Sequence, residues 1–538
     1  MNIADLICNT LVMYNVRYVF GYPGGAILPL MDAIDRNPNL EWILMRHESA
    51  AAFAASAQAK LTHHLSVCMA TSGPGASNLI TGLLDANLDR APVLALTGLI
   101  PTLKRNLSHF QDIDQVNLLS TCCGCSLGIE HAQQVPSLLQ ITLGYIIKNN
   151  RPAHLAIPRD VQLQECDFTL NLHTHRPVEL MAPPHEAIKI VATELTQSPN
   201  IIIVVGPRAF GAGAEIERLA EKIHAPIICS FAGKGIVNER HPNYFGVLGL
   251  YGAPANQEAF QVIQKAKTVL ALGVDDLVHF ITDKNINQIR TLIQCEPDIT
   301  TLSHQFVQKR ILLGRISDIV SLLAQCIDSY SMKLLKFASL THEKLISNEN
   351  TLIENKKNTV HQKVFFEKLN TYIDKPNTII GFDIGDCIAW ALLYMKLTHY
   401  QSVLLSNRMG SMGFCLPALI AAKLEKPEHV VVGICGDGGF QMVLGEINTA
   451  VQCQLNIILI VFNNGVLQRV IAQQDQAYGT ILVDPDFTAL AKSSGASGFT
   501  ISNNDEIDAK LREAFSIKNG PVIINVICDP EVFAPMIA

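Results

Sequence analysis

The sequence predicts an α/β protein of three doubly wound domains, each a parallel sheet covered by helices on both faces. Three observations carry that expectation. Apolar runs of strand length alternate with amphipathic or Ala-rich stretches of helical length nearly throughout, as parallel sheets with helical crossovers require. The chain has 538 residues, beyond the size at which a single core keeps growing, so it should divide into domains of roughly 150 to 200 residues. The strand-like runs also fall into three blocks of similar size and pattern, which suggests one architecture used three times.

The first block, 1–163, contains LSVCMATS (65–72), PVLALTG (92–98) and PAHLAIP (152–158), bounded by Gly or Pro. A stretch of little periodicity ending in three prolines (166–184) reads as a linker. The second block, 185–327, opens with IIIVVG (201–206) and continues through APIICSF, TVLALGV and IRTLIQC. A polar Lys/Glu/Asn-rich stretch over 328–362 is the second expected linker. The third block, 362–538, holds TIIGFDIG (378–385), HVVVGICGDGG (429–439), NIILIVFNN (456–464) and PVIINVICDP (521–530).

Composition narrows the function. With 49% hydrophobic and 17% charged residues the chain should bury a large core, and a net charge of −7 without basic runs offers no footprint for nucleic acid or an anionic membrane. The amino terminus lacks the basic-then-apolar pattern of a secretory signal, and the apolar runs are far shorter than a membrane span, so a soluble cytoplasmic protein is expected. The fourteen cysteines then read as reduced, buried thiols. Cys122, Cys123 and Cys125 cluster, but without the paired spacing of a zinc site.

The strongest local signal is a buried strand, the Gly-rich turn GDGGF (436–440), and a helix. In such sheets ligands lie beyond the carboxyl ends of the strands, where a Gly-rich turn delivers N–H groups to phosphate. Gly436, Gly438 and Gly439 remove side chains where a diphosphate must approach, and Asp437 adds a hard carboxylate. The next strand ends in Asn463-Asn464, with Asn464 lying 27 residues after Asp437. Mg²⁺ prefers octahedral oxygen, few ligands coming from protein. Asp437, the Asn464 side chain, the Val466 carbonyl, two diphosphate oxygens and a water would complete that set.

GDG followed by NN at this spacing resembles the signature of thiamine-diphosphate enzymes. Other segments resemble the acetolactate synthase branch of that family in its own order: GYPGGAILPLMDAI (21–34), RHESAAAFAA (46–55), ATSGPGASNLITGLLDA (70–86), FQDID (110–114), RPAHLAIPRDVQ (151–162) and GSMGFCLPALIAAK (410–423). The resemblance implies three Rossmann-like domains, termed pyrimidine-binding, central and diphosphate-binding. It further implies a 2-oxo acid substrate such as pyruvate, decarboxylated and joined to a second 2-oxo acid, and a homodimer or homotetramer with sites between subunits. A regulatory subunit is left open. By the same resemblance Glu48 is the carboxylate that meets the cofactor's aminopyrimidine in a desolvated site, Met412 the apolar residue beneath the thiazolium, and Gln111 the glutamine near the reacting carbon. Pro23, Gly24, Gly25, Pro74, Gly75 and Asn78 line the pyrimidine side. His47 reads as structural, and the Ala-rich run after Glu48 should let its helix pack closely on a partner.

Departures from the family pattern concern the reaction rather than the cofactor. Gln473 stands where biosynthetic members carry a Trp that selects the larger 2-oxobutyrate acceptor. Leu277 replaces an Arg near the substrate entrance, and Arg159 replaces a Lys. A simple decarboxylase, a flavin-linked oxidase and a non-catalytic binding protein are therefore the alternatives. FAD is balanced: Arg151, Gly249 and Gly252 match FAD-contacting positions, but the strand end that should read I-D-x-D-P is IQCEP (293–297), with Glu296 as its acidic residue.

Overall fold

The computed structural model describes residues 1–167, 182–248, 257–274, 277, 288–303, 309–327 and 358–534. Most of both expected linkers, and Gly249 and Gly252, lie outside these. The described residues form three parallel six-stranded sheets covered by helices.

The first sheet holds β1 (Tyr18–Gly21), β2 (Glu41–Leu44), β3 (Ser66–Ala70), β4 (Val93–Leu99), β5 (Cys125–Gly128) and β6 (Ala153–Pro158), in the order β2-β1-β3-β4-β6-β5. The second holds β7 (Ile201–Val205), β8 (Ile227–Cys229), β9 (Tyr244–Val247), β10 (Thr268–Leu272), β11 (Thr291–Glu296) and β12 (Arg310–Leu313), in the order β12-β11-β10-β7-β8-β9. The third holds β13 (Thr378–Phe382), β14 (Ser402–Leu404), β15 (Val430–Gly436), β16 (Ile457–Asn463), β17 (Ser497–Ile501) and β18 (Val522–Ile527), in the order β14-β13-β15-β16-β18-β17. All three are doubly wound, but strand order separates them. The outer two repeat one order, whereas the middle sheet has the 3-2-1-4-5-6 order of dinucleotide-binding folds.

Central strands such as β7 and β10 are buried on both faces, which is why they read as near-continuous apolar runs rather than as alternating patterns. The helix Glu48–Thr62 joins the first domain to the third. Ala50, Ala51, Ala52, Ala54 and Ala55 are fully buried in it, and Cβ-sized gaps let the helices Ile80–Leu88 and Cys415–Glu425 approach closely. A Cβ on Gly82 would lie 2.4 Å from that of Ala52. The rings of Phe53 and Phe414 meet edge-on at 5.7 Å. Lys60, at the far end of the same helix, pairs with Asp85 at 2.8 Å and Asp89 at 2.6 Å and lies over the Phe414 ring. The central domain is tied to the third by the buried Lys234–Glu239 pair, with Lys234 Nζ also donating to the Met395 carbonyl at 2.8 Å. Among the described residues no helix is long and apolar enough to cross a membrane.

Candidate active site

In the third sheet the strand order reverses between β13 and β15, and the crevice beyond those ends is where a doubly wound sheet takes its ligand. Asp437 follows β15 there. Its carboxylate is fixed by three backbone donors: Oδ1 accepts from Gly438 N–H at 2.7 Å, and Oδ2 from Asn464 N–H at 2.9 Å and Gly465 N–H at 2.7 Å. The two strand ends singled out in the sequence are thus joined directly. Burial, with the Asp484 carboxylate beside it, pushes Asp437 up to about 6. A divalent cation would offset that like-charge crowding and favour the ionised form. Asn464 Oδ1 accepts from Val466 N–H at 3.1 Å while its Nδ2 donates to Gln468 Oε1 at 2.7 Å, so the amide is oriented from both ends.

A cavity of about 250 Å³ opens at this edge, lined by Met412, Gly436, Asp437, Gly438, Gly439, Asn464, Val466 and Gln473 among others. The glycines are needed for packing as well as access. A Cβ on Gly438 would sit 2.7 Å from Leu467 Cδ2 and 3.2 Å from Met412 Cε, and one on Gly439 2.7 Å from Asp383 Oδ2. A carboxylate, an amide and a main-chain carbonyl beside an apolar Met412 are a hard-oxygen set suited to Mg²⁺ and diphosphate.

The first sheet has the same order, and its equivalent crevice holds the other group of residues. Glu48 lies beyond β2 and is 8% exposed. Its Oε2 accepts from Asn78 Nδ2 at 3.0 Å, and a Cβ on Gly75 would come within 3.4 Å of Oε1. Gly24 rests on Thr71, where a Cβ would overlap at 2.4 Å. Gln111 adopts a positive φ of 63° and reaches back to Ser72, whose hydroxyl donates to Oε1 at 3.2 Å. Pro23, Gly25 and Pro74 are solvent-exposed at the same rim. His47 caps the helix, its Nδ1 accepting from Ser49 N–H at 3.1 Å, which is the structural part the sequence suggested.

Two positioning carboxylates were not singled out in the sequence. Buried Asp383 accepts from Gly413 N–H with both oxygens, at 3.0 and 2.9 Å, and so fixes the turn that presents Met412; burial pushes it up to about 7. Glu446, 1% exposed, accepts from the N–H groups of Arg46 and His47 at 2.9 and 3.1 Å, anchoring the turn that leads into Glu48. Asp383 follows a strand at the crevice and carries the same signal as Asp437. Glu446 has no local signal, since its partners lie about 400 residues away.

Three Rossmann-like sheets, two with ligand-binding crevices of matching topology, define a cofactor-dependent α/β enzyme. Family models agree along the chain: thiamine pyrophosphate enzyme N-terminal TPP binding domain over residues 1–118, central domain over 188–323, and C-terminal TPP binding domain over 383–526. The chain belongs to the thiamine pyrophosphate enzyme family and is a thiamine-diphosphate-dependent enzyme. It is similar to a probable acetolactate synthase large subunit of Methanocaldococcus jannaschii, 30% identical over 99% of this chain and 93% of the relative. An acetolactate synthase isozyme 2 large subunit of Escherichia coli (strain K12) is 29% identical over 98% of this chain and 96% of the relative. An acetolactate synthase of Bacillus subtilis (strain 168) is 30% identical over 98% and 93%.

Proposed function

We propose that this chain decarboxylates a 2-oxo acid such as pyruvate and joins the remaining fragment to a second 2-oxo acid, as an acetolactate synthase does. The observation that carries this is near end-to-end similarity to acetolactate synthases in a chain whose two matching crevices hold Glu48 and Asp437. Bound thiamine diphosphate would supply the electron sink for loss of CO₂. Asp437, Asn464 and Val466 would hold Mg²⁺ and so favour the diphosphate, with Gly436, Gly438 and Gly439 leaving room for it. Met412 offers the apolar floor. Glu48, fixed through Oε2 by Asn78, holds or releases a proton at Oε1, the oxygen facing Gly75. Gln111 adds an amide to the substrate side.

In this reading the active unit is a homodimer or homotetramer with its sites between subunits. Every described residue lining the Asp437 cavity comes from the third domain, which leaves its open side for the first domain of a second subunit. Large apolar side chains stand exposed beside both half-sites, Leu103 (91%) and Phe110 (86%) next to Gln111, Tyr478 (87%) and Val483 (92%) next to Asp484. A two-fold partner would cover them.

Of the four residues expected to hold FAD, Gly249 and Gly252 lie outside the described residues, and the two described ones, Glu296 and Arg151, are engaged within the chain. Glu296 is fully buried, and both its oxygens are used: Arg208 Nε and Thr301 Oγ1 donate to Oε2 at 2.8 and 3.0 Å, Arg208 Nη2 and Gln294 Nε2 to Oε1 at 3.1 and 3.2 Å. Arg151 donates to the Asn87 side chain at 2.7 Å.

Product analysis of the purified protein with thiamine diphosphate, Mg²⁺ and pyruvate tests the reaction. Acetolactate is expected; acetaldehyde without acetolactate would move the enzyme to the decarboxylases. With Gln473 in place of an apolar acceptor contact, 2-oxobutyrate should gain little of the roughly 1–3 kcal/mol that one methylene can add in a hydrophobic pocket.

A further inference from the structure

The cavity beside Asp437 continues to a second charged pair that none of the roles above uses. Asp386, at the start of the helix Asp386–Tyr394, and Arg469, on the short helix Gln468–Ile471, both line it. Arg469 Nε lies 3.2 Å from Asp386 Oδ1, with side-chain exposures of 17% and 5%. We propose that Arg469 binds phosphate in this chain's diphosphate subsite and that Asp386 positions it. This rests on the reading that the cavity takes thiamine diphosphate.

The charge inventory of the cavity leads there. Two carboxylates, Asp386 and Asp437, face a space meant for a polyanion, and Arg469 is the one basic side chain among the described residues lining it. A diphosphate entering between two carboxylates needs positive charge on more than one side. A metal at Asp437 supplies one side, and a guanidinium supplies the other with the planar fork that matches phosphate oxygens. The side chain of Gln468 links the segments that carry the two. Gln468, between Asn464 and Arg469, accepts from Asn464 Nδ2 at 2.7 Å and donates to the carbonyls of Pro530 and Val532 at 3.1 and 2.9 Å. Asp386 is fixed in turn by Ala534 N–H, which donates to Oδ2 at 3.1 Å. An ion pair built only for stability would not need to face the ligand cavity.

Titration of the Mg²⁺-loaded protein with thiamine diphosphate and with thiamine, followed by calorimetry or by the fluorescence of Trp390 in the cavity wall, separates the two roles. Arg469→Met should weaken thiamine diphosphate binding roughly 10- to 100-fold, the worth of one charge-assisted hydrogen bond, and leave thiamine binding unchanged. Arg469→Lys should fall between; if Arg469→Met does not fold, the Lys variant carries the test through a loss confined to the diphosphate form. A folded Arg469→Met that binds both ligands like the parent, or loses both equally, overturns the proposal. Failure of the parent protein to bind thiamine diphosphate would instead overturn the functional reading on which it rests.

Discussion

The first and third domains fold the same strand order and open their crevices at the same place, yet the two crevices hold opposite chemistry. The third offers oxygen donors around Asp437 and glycines with nothing to obstruct a phosphate. The first offers one buried carboxyl, Glu48, a single amide donor and the Thr71–Gly75 turn. Topology therefore decides where a ligand can sit, and a handful of residues at strand ends decides which end of it is held. The central domain extends the lesson. Its strand order is that of dinucleotide-binding folds, and at the end of β11 Arg208 pairs with the buried Glu296, a different set of residues on a different order.

If the third-domain crevice binds and the first-domain crevice reacts, their central residues should fail differently. Asp437→Ala should abolish Mg²⁺-dependent retention of thiamine diphosphate, measured by equilibrium dialysis with and without chelator. Tight, chelator-insensitive binding in that variant would show that the ligand set is wrong. Glu48→Gln should keep the cofactor and lower turnover by roughly 10²–10⁴, the usual range for a lost general acid–base group. Mixing the two inactive variants then asks whether the crevices belong to different subunits. Activity should reappear, because one hybrid site receives both intact residues; proven subunit exchange without recovery would place each site within one chain.

A smaller effect is expected from Glu446, through which the third domain holds the first. Glu446→Ala strands the N–H groups of Arg46 and His47 and loosens the approach to Glu48, so turnover should fall on the order of tenfold, about 1.4 kcal/mol. Cofactor affinity should stay. Glu446→Gln, whose amide oxygen can still accept from both, should restore most of the rate. Equal losses in the two variants would mean that the carboxylate's charge, rather than its hydrogen bonds, matters there.

Much of this was legible in the sequence because it is local. Asp437, Asn464 and the glycines lie at the ends of runs such as VVVGIC and IILIVF that declare themselves as buried strands, and the structure joins them by direct hydrogen bonds. Glu48 was legible only through family resemblance, since a Glu in the first turn of a helix is ordinarily solvated. What the sequence hid is long-range: Glu446 meets Arg46, and Arg469 meets Asp386, across loops whose closure no spacing rule encodes. The difference in strand order between the central and outer sheets was hidden for the same reason. Alternating strands and helices look alike whichever neighbours the strands choose.

An effect of similar size, on stability rather than turnover, uses the matched strands β6 and β18. At the second position of each stands a fully buried residue, Ile523 in the third domain but His154 in the first. Both ring nitrogens of His154 are engaged, Nε2 with Thr97 at 2.7 Å and Nδ1 with Ser126 at 2.8 Å, and burial lowers its pKa from 6.5 to about 3. A base whose folded pKa is depressed stabilises the fold above its unfolded value, and that contribution is lost as pH falls from 6.5 toward 3, because the unfolded chain takes up the proton first. One pH unit below 6.5 the loss is about 1.4 kcal/mol. Thermal unfolding of the parent and of His154→Gln at pH 7.5 and 5.5 isolates this term, since the amide keeps hydrogen-bonding capacity without titrating. The parent should lose more stability on acidification than the variant does. The same fall in both would mean that acid sensitivity arises elsewhere, and His154 would then be no weaker a core residue at low pH than Ile523.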